Sequence, residues 1–422
     1  MNYAQQLKDK ILKKFTKKTV SNDLQKMATS PSSPSITENE CALKQCLKRS
    51  PINSMESRVE VKSFEPKSKS QTMLVNWKEG GAANFHYSCW DALLKSAADA
   101  YRPSQFHLSD LERTMILEAR KTAELFDSHA KICGNAAHIA EILKVSHNCI
   151  AFTGAGISTA AGIGDFRGKD GKWTNQDKKK NFGSDSGQNT SRRLNLSELR
   201  PTYTHEALCK LLEMGLLKFI ISQNTDGLHC LSGVPPEKLA ELHGNSFVEK
   251  CEKCQTSYER TFGVRRRLSE NCPPRPCLQC KLDHRTGRKC SQTGCDGCLM
   301  NTIINFGDHL ESRVLKKAEV EAEKADAVLI LGSTLMVSPA HYLVTKGPEP
   351  HRLIICNRQV THYDEVCTRI GPDGEQLGSR VFGDCDNLMK ELMKKILPAE
   401  ELCRWEAGRT QRMKEYNKMR AA

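Results

Sequence analysis

Two stretches that carry histidine beside amide or carboxylate groups, Asn224-Thr225-Asp226-Gly227-Leu228-His229 and Glu241-Leu242-His243-Gly244, offer the acid–base candidates of this chain. Imidazole is the side chain whose unperturbed pKa suits base work near neutral pH. Any one of the thirteen histidines is more often structural than catalytic. His243 stands apart because it precedes a glycine and borders a cysteine-rich insertion, where two domains would form a cleft. A third stretch, Ala151 to Gly168, reads as a strand running into a glycine loop. Gly154 and Gly156 leave no Cβ over that loop, so backbone amides can approach a pyrophosphate, and the small residues after them can open a helix aimed at it. Thr159 stands where a dehydrogenase fingerprint has its third glycine, so that fingerprint is only partly met. The Asp165-Phe166-Arg167 that follows is the unusual part.

Cysteines supply the next chemistry. Cys251-x-x-Cys254 is half of a zinc site, because two thiolates at that spacing grip one face of a tetrahedral ion. For the other half, Cys277 with Cys280, Cys290 with Cys295, and Cys295 with Cys298 are open, and regular two-residue spacing slightly favours the first pair. A four-cysteine site has no open position, so its zinc would be structural.

The elements that must hold these groups are apolar runs. Cys149 to Thr153, Phe219 to Ser222, Ala327 to Leu331 and Leu353 to Cys356 read as buried parallel strands, alternating with helical periodicity such as His205 to Phe219. This implies a doubly wound, mostly parallel Rossmann-like α/β sheet with a smaller zinc-binding module inserted. The expected layout is a disordered basic, Ser- and Pro-rich arm over 1–80, a helical lead-in over 81–147 opened by the capping box Ser109 to Glu112, and the nucleotide-binding domain over 148–250 and 302–397. The zinc module takes 251–301, and a basic tail over 398–422 is expected to be frayed or partner-bound. Residues past the strand ends, Gln223 to Asp226, Gly332-Ser333-Thr334 and Asn357 to Gln359, are small or polar, as a nucleotide crevice requires.

A formal charge of +13 favours acidic partners such as chromatin, nucleic acid or an anionic surface. With no signal-peptide core and no apolar run of spanning length, the expectation is a soluble intracellular chain whose nineteen cysteines are metal ligands and buried thiols.

In this order and spacing, Gly154-Ala155-Gly156-Ile157-Ser158, Asp165-Phe166-Arg167, Gln223-Asn224-Thr225-Asp226, His243-Gly244 and the paired cysteines resemble the sirtuin family over about 148–397. The loop ending in Trp173-Thr174 and the run Glu241 to Asn245 resemble its class IV branch, the sirtuin-six and sirtuin-seven type. The resemblance implies NAD+-dependent removal of acyl groups from protein lysines, with nicotinamide leaving and O-acyl-ADP-ribose forming through an ADP-ribosyl intermediate. It implies His243 as general base, Asn224 and Asp226 positioning ribose and carboxamide beside Gln223, and Phe166, Arg167, Asp165 and Trp173 around the nicotinamide. Gly154, Ala155, Gly156 and Thr159 would hold the pyrophosphate, and Gly332, Ser333, Thr334, Asn357, Gln359 and the backbone near Cys385 the adenosine half. Ile304 to Gly307 resembles the strand beside the acyl-lysine channel. For Zn2+ it selects Cys251, Cys254, Cys290 and Cys295, with Cys277, Cys280 and Cys298 as substitutes. Gly164 stands where the family has proline, implying a looser loop and weaker NAD+ binding. Acyl-lysine proteins, among them histones, are the implied substrates. A nuclear location follows from the resemblance and the basic charge, with mitochondrial and cytoplasmic locations left open. An ADP-ribosyltransferase using the same pocket and a non-catalytic zinc and chromatin scaffold are the alternatives, and no hydride-transfer partner set supports a dehydrogenase.

Overall fold

A computed structural model describes residues 40–53, 55–61, 75, 83–98, 106–163, 196–264 and 267–421. The chain divides into Met1–Thr37, wholly outside the described residues, and Glu38–Ala422, which holds everything below.

The first sheet is small and antiparallel, ordered β2-β1-β3 from β1 (Arg58–Val61), β2 (Ala83–His86) and β3 (Glu124–Phe126). Its inner face packs on α1 (Tyr87–Ala98) and α2 (Asp110–Arg120), around Leu43, Val59, Val61, Phe85, Trp90 and Ile116. The arm expected to remain disordered to residue 80 is therefore folded where it is described, from residue 40 onward. Its apolar residues are sparse, but alternation puts Val59 and Val61 on one face, where both are fully buried. The capping box forms as expected, Glu112 N donating to Ser109 Oγ and Ser109 N to Glu112 Oε2. Leu125, expected on a helix, lies in β3.

The main sheet is fully parallel and six-stranded, in the order β13-β12-β11-β4-β5-β6. Its strands are β4 (Cys149–Thr153), β5 (Phe219–Ser222), β6 (Leu239–Glu241), β11 (Ala327–Leu331), β12 (Arg352–Cys356) and β13 (Ser379–Val381). The order reverses between β4 and β11, which is the switch point of a doubly wound fold, where ligands bind at the carboxyl ends. Cys149 and Ala151 face one core with α3 (His129–Val145), α4 (Tyr203–Glu213) and the helix Cys385–Ile396. Ile150 and Phe152 face the other, with the helix Ser312–Lys324. Burial on both faces is why these strands read as continuous apolar runs. Strands β6 and β13 escaped the sequence because each has only three residues.

Between β6 and β11 the chain leaves the sheet to build a four-stranded antiparallel module, ordered β8-β7-β10-β9 from β7 (Val248–Cys251), β8 (Ser257–Glu259), β9 (Arg285–Lys289) and β10 (Cys298–Asn301).

The basic tail is not frayed. It forms helices Ala399–Ala407 and Arg409–Ala421, and its charges find partners within the chain. Arg412 and Arg409 reach Glu206 at 3.1 and 3.4 Å, Arg420 lies 3.4 Å over the Phe247 ring, and Trp405 meets Tyr203 edge-on at 5.3 Å. Desolvated pairing of this kind is what an amphipathic basic helix can do without an external partner.

Candidate active site and metal centres

Strand β4 delivers the glycine loop to the switch point. Gly154 N donates to Leu331 O and Gly156 N to Gly332 O, each at 2.9 Å, so the loop is stitched to the turn after β11. A Cβ on Gly156 would lie 2.6 Å from Gly332 Cα, and one on Gly332, whose φ is +65°, 2.5 Å from Ile157 N. These glycines are required by the close crossing of two loops as much as by any ligand. Beyond them the chain makes two 3-10 turns, Ala155–Ile157 and Thr159–Ala161, in place of the expected helix.

At the ends of β5 and β6 the polar side chains form a chain of contacts. Asn224 Nδ2 donates to Gly154 O at 3.1 Å and Ser158 Oγ at 3.3 Å, and Ser158 Oγ donates to Asp226 Oδ2 at 2.7 Å. Asp226 Oδ1 accepts from Leu228 N at 2.9 Å. Ser333 Oγ donates to Gln223 Oε1 at 2.8 Å, leaving the buried Gln223 Nε2 without a protein acceptor. Ser158, fully buried and expected only as part of the pyrophosphate loop, instead joins this network through Asn224 and Asp226. Its place inside the glycine loop motif was the available signal.

His243 joins them from the end of β6. Its Nδ1 lies 2.9 Å from Gln223 O, an acceptor only, so Nδ1 carries the proton and Nε2 presents its lone pair. Burial pushes its pKa below the ordinary imidazole value, and the Gln223 carbonyl partly opposes that. Its own carbonyl accepts from Ile304 N at 3.0 Å, tying it to the segment that returns from the cysteine module. A Cβ at Gly244, φ +79°, would strike Thr302 O at 1.9 Å, so only glycine fits this crossing. The neighbouring Glu241 is pushed up to about 7 by burial, against the hydrogen bonds it accepts from Asn245. Phe306, expected near an acyl-lysine channel, is 70% exposed in a turn and not in a strand.

His229 is a different kind of histidine. It is fully buried, Thr153 Oγ1 lies 2.9 Å from its Nε2, and its ring sits 4.9 Å from that of His205. Desolvation pushes both rings down to about 3, so they are neutral packing groups.

At the other end, Gly156, Thr159, Gly332, Asn357, Arg358, Gln359, Gly383, Asp384 and Cys385 line a cleft. Seven of these nine were expected at a nucleotide, Arg358 as part of the run Asn357 to Gln359 past a strand end. Gly383 and Asp384 were not. Arg358 is engaged by Asp384 and, at 3.2 Å, by Glu124 of β3. Gln359 Nε2 is buried and lacks an acceptor. Ser333 and Thr334 lie outside this wall. Ala155 sits half-buried in the first 3-10 turn. A buried amide donor without an acceptor, Gln359, lines a cleft floored by glycine backbone, and a second, Gln223, stands at the end of the neighbouring β5, which fits an elongated dinucleotide rich in hydroxyl and phosphate acceptors. Gly164, Asp165, Phe166, Arg167 and Trp173 lie outside the described residues.

In the module, Cys251, Cys254, Cys290 and Cys295 bring their sulfurs within 4.8 Å of one another. Cys251 to Cys295 and Cys254 to Cys290 are both 3.6 Å, close to the ~3.8 Å edge of a tetrahedron with 2.3 Å Zn–S bonds. Lys253 N donates to Cys251 Sγ and Gln292 N to Cys290 Sγ, contacts that favour thiolates. Thr256 lowers Cys254 to about 6. The donor set fits Zn2+. Cys277 and Cys280 do not join it and group instead with His284 and Asp308. Cys298 is bonded to Cys272, a disulfide the sequence reading did not anticipate.

The Sir2 family model matches residues 154–339. The Drosophila melanogaster protein named NAD-dependent protein deacetylase Sirt6 is 34% identical over 248 residues, spanning 58% of this chain and 74% of that one. The chain belongs to the Sir2 family. Sir2 relatives also include the Arabidopsis thaliana protein named NAD-dependent protein deacetylase SRT1, 40% identical over 246 residues, 58% of this chain. The match spans about half, 47%, of that plant relative's length. Among solved structures, one described as "Structural Basis for the Mechanism and Regulation of Sir2 Enzymes" aligns over 62% of this chain and 98% of its own at 26% identity, with a TM-score of 0.42.

Proposed function

We propose that this Sir2 chain is an NAD+-dependent protein-lysine deacylase, converting NAD+, acyl-lysine and water to nicotinamide, free lysine and O-acyl-ADP-ribose. One observation carries the reading: His243, with Nδ1 tied to Gln223 O and Nε2 available, stands beside the Asn224–Ser158–Asp226 network at the end of a sheet whose switch point forms a nucleotide cleft. The relatives' names support the reaction class. NAD+ supplies a sugar carbon bearing a good leaving group, nicotinamide.

The chain's own residues do the rest. His243 Nε2 accepts a proton from a ribose hydroxyl, and its depressed pKa keeps it unprotonated at neutral pH. Gln223 Nε2 donates to the ribose, and Asn224 and Asp226 hold the ribose and carboxamide with geometry fixed by Ser158. Gln359, Asn357 and the backbone at Cys385 receive the adenosine half, and Gly154, Gly156 and Thr159 the pyrophosphate. The family resemblance assigns the nicotinamide side to Phe166, Arg167, Asp165 and Trp173, which lie outside the described residues. Zn2+ on Cys251, Cys254, Cys290 and Cys295 holds the module, and through it the Ile304–His243 crossing, in place. The substrates are nuclear acyl-lysine proteins including histones, a reading supported by the class IV resemblance and the +13 charge.

Mass spectrometry of products from acetyl, longer-acyl and unmodified lysine peptides tests this. Free lysine and O-acyl-ADP-ribose in equal amounts are expected from acylated peptides only. Label from NAD+ retained on denatured protein, with the acyl group intact, would replace deacylation with ADP-ribosyl transfer.

A further inference from the structure

A second tetrahedral donor set lies outside the region matched to the family, in the small sheet of residues 40–126. We propose that Cys41, Cys46, His86 and Cys89 hold a structural Zn2+ ion, distinct from the one on the 251–295 quartet, and that this ion staples the N-terminal sheet.

The four ligand atoms lie within 4.8 Å of one another. Cys46 Sγ is 3.9 Å from Cys89 Sγ and 3.5 Å from His86 Nδ1, and Cys89 Sγ is 3.8 Å from His86 Nδ1. A tetrahedral zinc with Zn–S of ~2.3 Å and Zn–N of ~2.0–2.1 Å has S–S edges of ~3.8 Å and S–N edges of ~3.6 Å. The observed edges match these values. Sulfur and imidazole donors select zinc over magnesium or calcium, and four protein ligands leave no site for a reactive water.

The local chain explains the convergence. His86 ends β2 and Cys89 sits in the first turn of α1, so His-x-x-Cys spans the strand-to-helix corner with the thiolate at the positive end of the helix. Cys41 and Cys46 arrive on a loop anchored by Ala42 N donating to Asn84 O at 2.7 Å and by burial of Ala42 and Leu43. Behind the ring, His86 Nε2 faces Glu56 Oε2 at 3.8 Å, and neither atom has a hydrogen-bond partner. A carboxylate behind a ligating histidine fixes the tautomer that frees Nδ1 for metal.

Energetics give the ion a task. Strands of four, four and three residues make a marginal sheet. A fully buried histidine beside a buried cysteine destabilises such a core unless something compensates for their lost solvation. Binding free energy released only in the folded state does so. The staple also bears on the nucleotide cleft, because Leu125 N of β3 donates to Arg358 O at 2.8 Å.

The test uses the purified full chain. Elemental analysis and native mass spectrometry of a His86→Ala/Cys89→Ser variant should show one zinc fewer than wild type, and Cys254→Ser should independently remove one from the other quartet. Unchanged zinc content in the double variant, or iron or copper leaving in place of zinc, would overturn the assignment. Wild-type protein gives a second readout that needs no variant. Alkylation of Cys46 and Cys89 should accelerate at least tenfold after chelation, and equal rates before and after would also overturn it. Glu56→Gln should release zinc to a chelator ~10-fold more readily.

Discussion

At the ends of β5 and β6 the polar side chains satisfy one another: Asn224 donates to Ser158, Ser158 to Asp226, Ser333 to Gln223, and His243 to a backbone carbonyl. At the β11–β13 end the walls are largely backbone, with Gly156, Gly332 and Gly383 setting the shape and Gln359 adding an amide. The first arrangement fixes the direction of a few polar atoms, which is what a proton transfer and a positioned sugar demand. The second fixes a volume, which suffices for binding. Changes at the chemical end should therefore act on turnover, and changes at the other end on affinity or on the fold.

The largest effect separates the two ends. His243→Ala should reduce deacylation about 10³-fold, equivalent to ~4 kcal/mol, while NAD+ still raises the melting temperature of the variant. Loss of that thermal shift would mean that His243 binds the nucleotide and does no more. In the wild type, kcat/KM should rise with pH to a plateau, with its midpoint below the ~6.5 of a free imidazole, because burial lowers His243 and its neutral form is active.

Next is Gly332→Ala, which breaks the loop crossing. The added Cβ would sit 2.5 Å from Ile157 N at a φ of +65°. Chemical denaturation should show a loss of ~3 kcal/mol together with weaker NAD+ binding. Full stability would show that the crossing relaxes freely.

Acid sensitivity follows from the buried pair His205 and His229. Both have folded pKa values of about 3 against ~6.5 unfolded, so below pH ~6.5 the unfolded chain takes up protons that the folded one refuses. Stability should then fall with decreasing pH, by ~1.4 kcal/mol per pH unit for each ring, until pH nears 3. Urea titrations from pH 7 to pH 5 check this, and the slope should halve in His205→Gln.

Smallest is Gln359→Ala, at the end where volume dominates. KM for NAD+ should rise about fivefold, ~1 kcal/mol, with kcat unchanged. A fall in kcat would place Gln359 with the chemical residues.

Much of this was legible because parallel strands buried on both faces leave continuous apolar runs, and because the paired glycines, Gln223 to Asp226 and His243-Gly244 are contiguous motifs. Ser158 was harder to read, since its task depends on Asn224 and Asp226, which the fold brings from 66 and 68 residues away. The N-terminal sheet escaped because its apolar residues are diluted by lysine and serine, and because Cys46 and His86 are 40 positions apart. The tail helices read as solvated charge, for nothing in their own sequence announces Glu206 or Phe247 as partners. Spacing alone favoured Cys277 and Cys280 as the second pair of zinc ligands, whereas the fold converges Cys290 and Cys295 on Cys251 and Cys254.

The central claim is that this cleft cleaves NAD+ only when an acyl-lysine is in place. Nicotinamide and deacylated peptide, quantified together by mass spectrometry from one reaction of the full chain with NAD+ and an acetyl-lysine peptide, test it most directly. The account predicts one nicotinamide per lysine freed, and no nicotinamide when the peptide carries unmodified lysine. Nicotinamide released at the same rate without acyl-lysine, or lysine freed without NAD+, would contradict it.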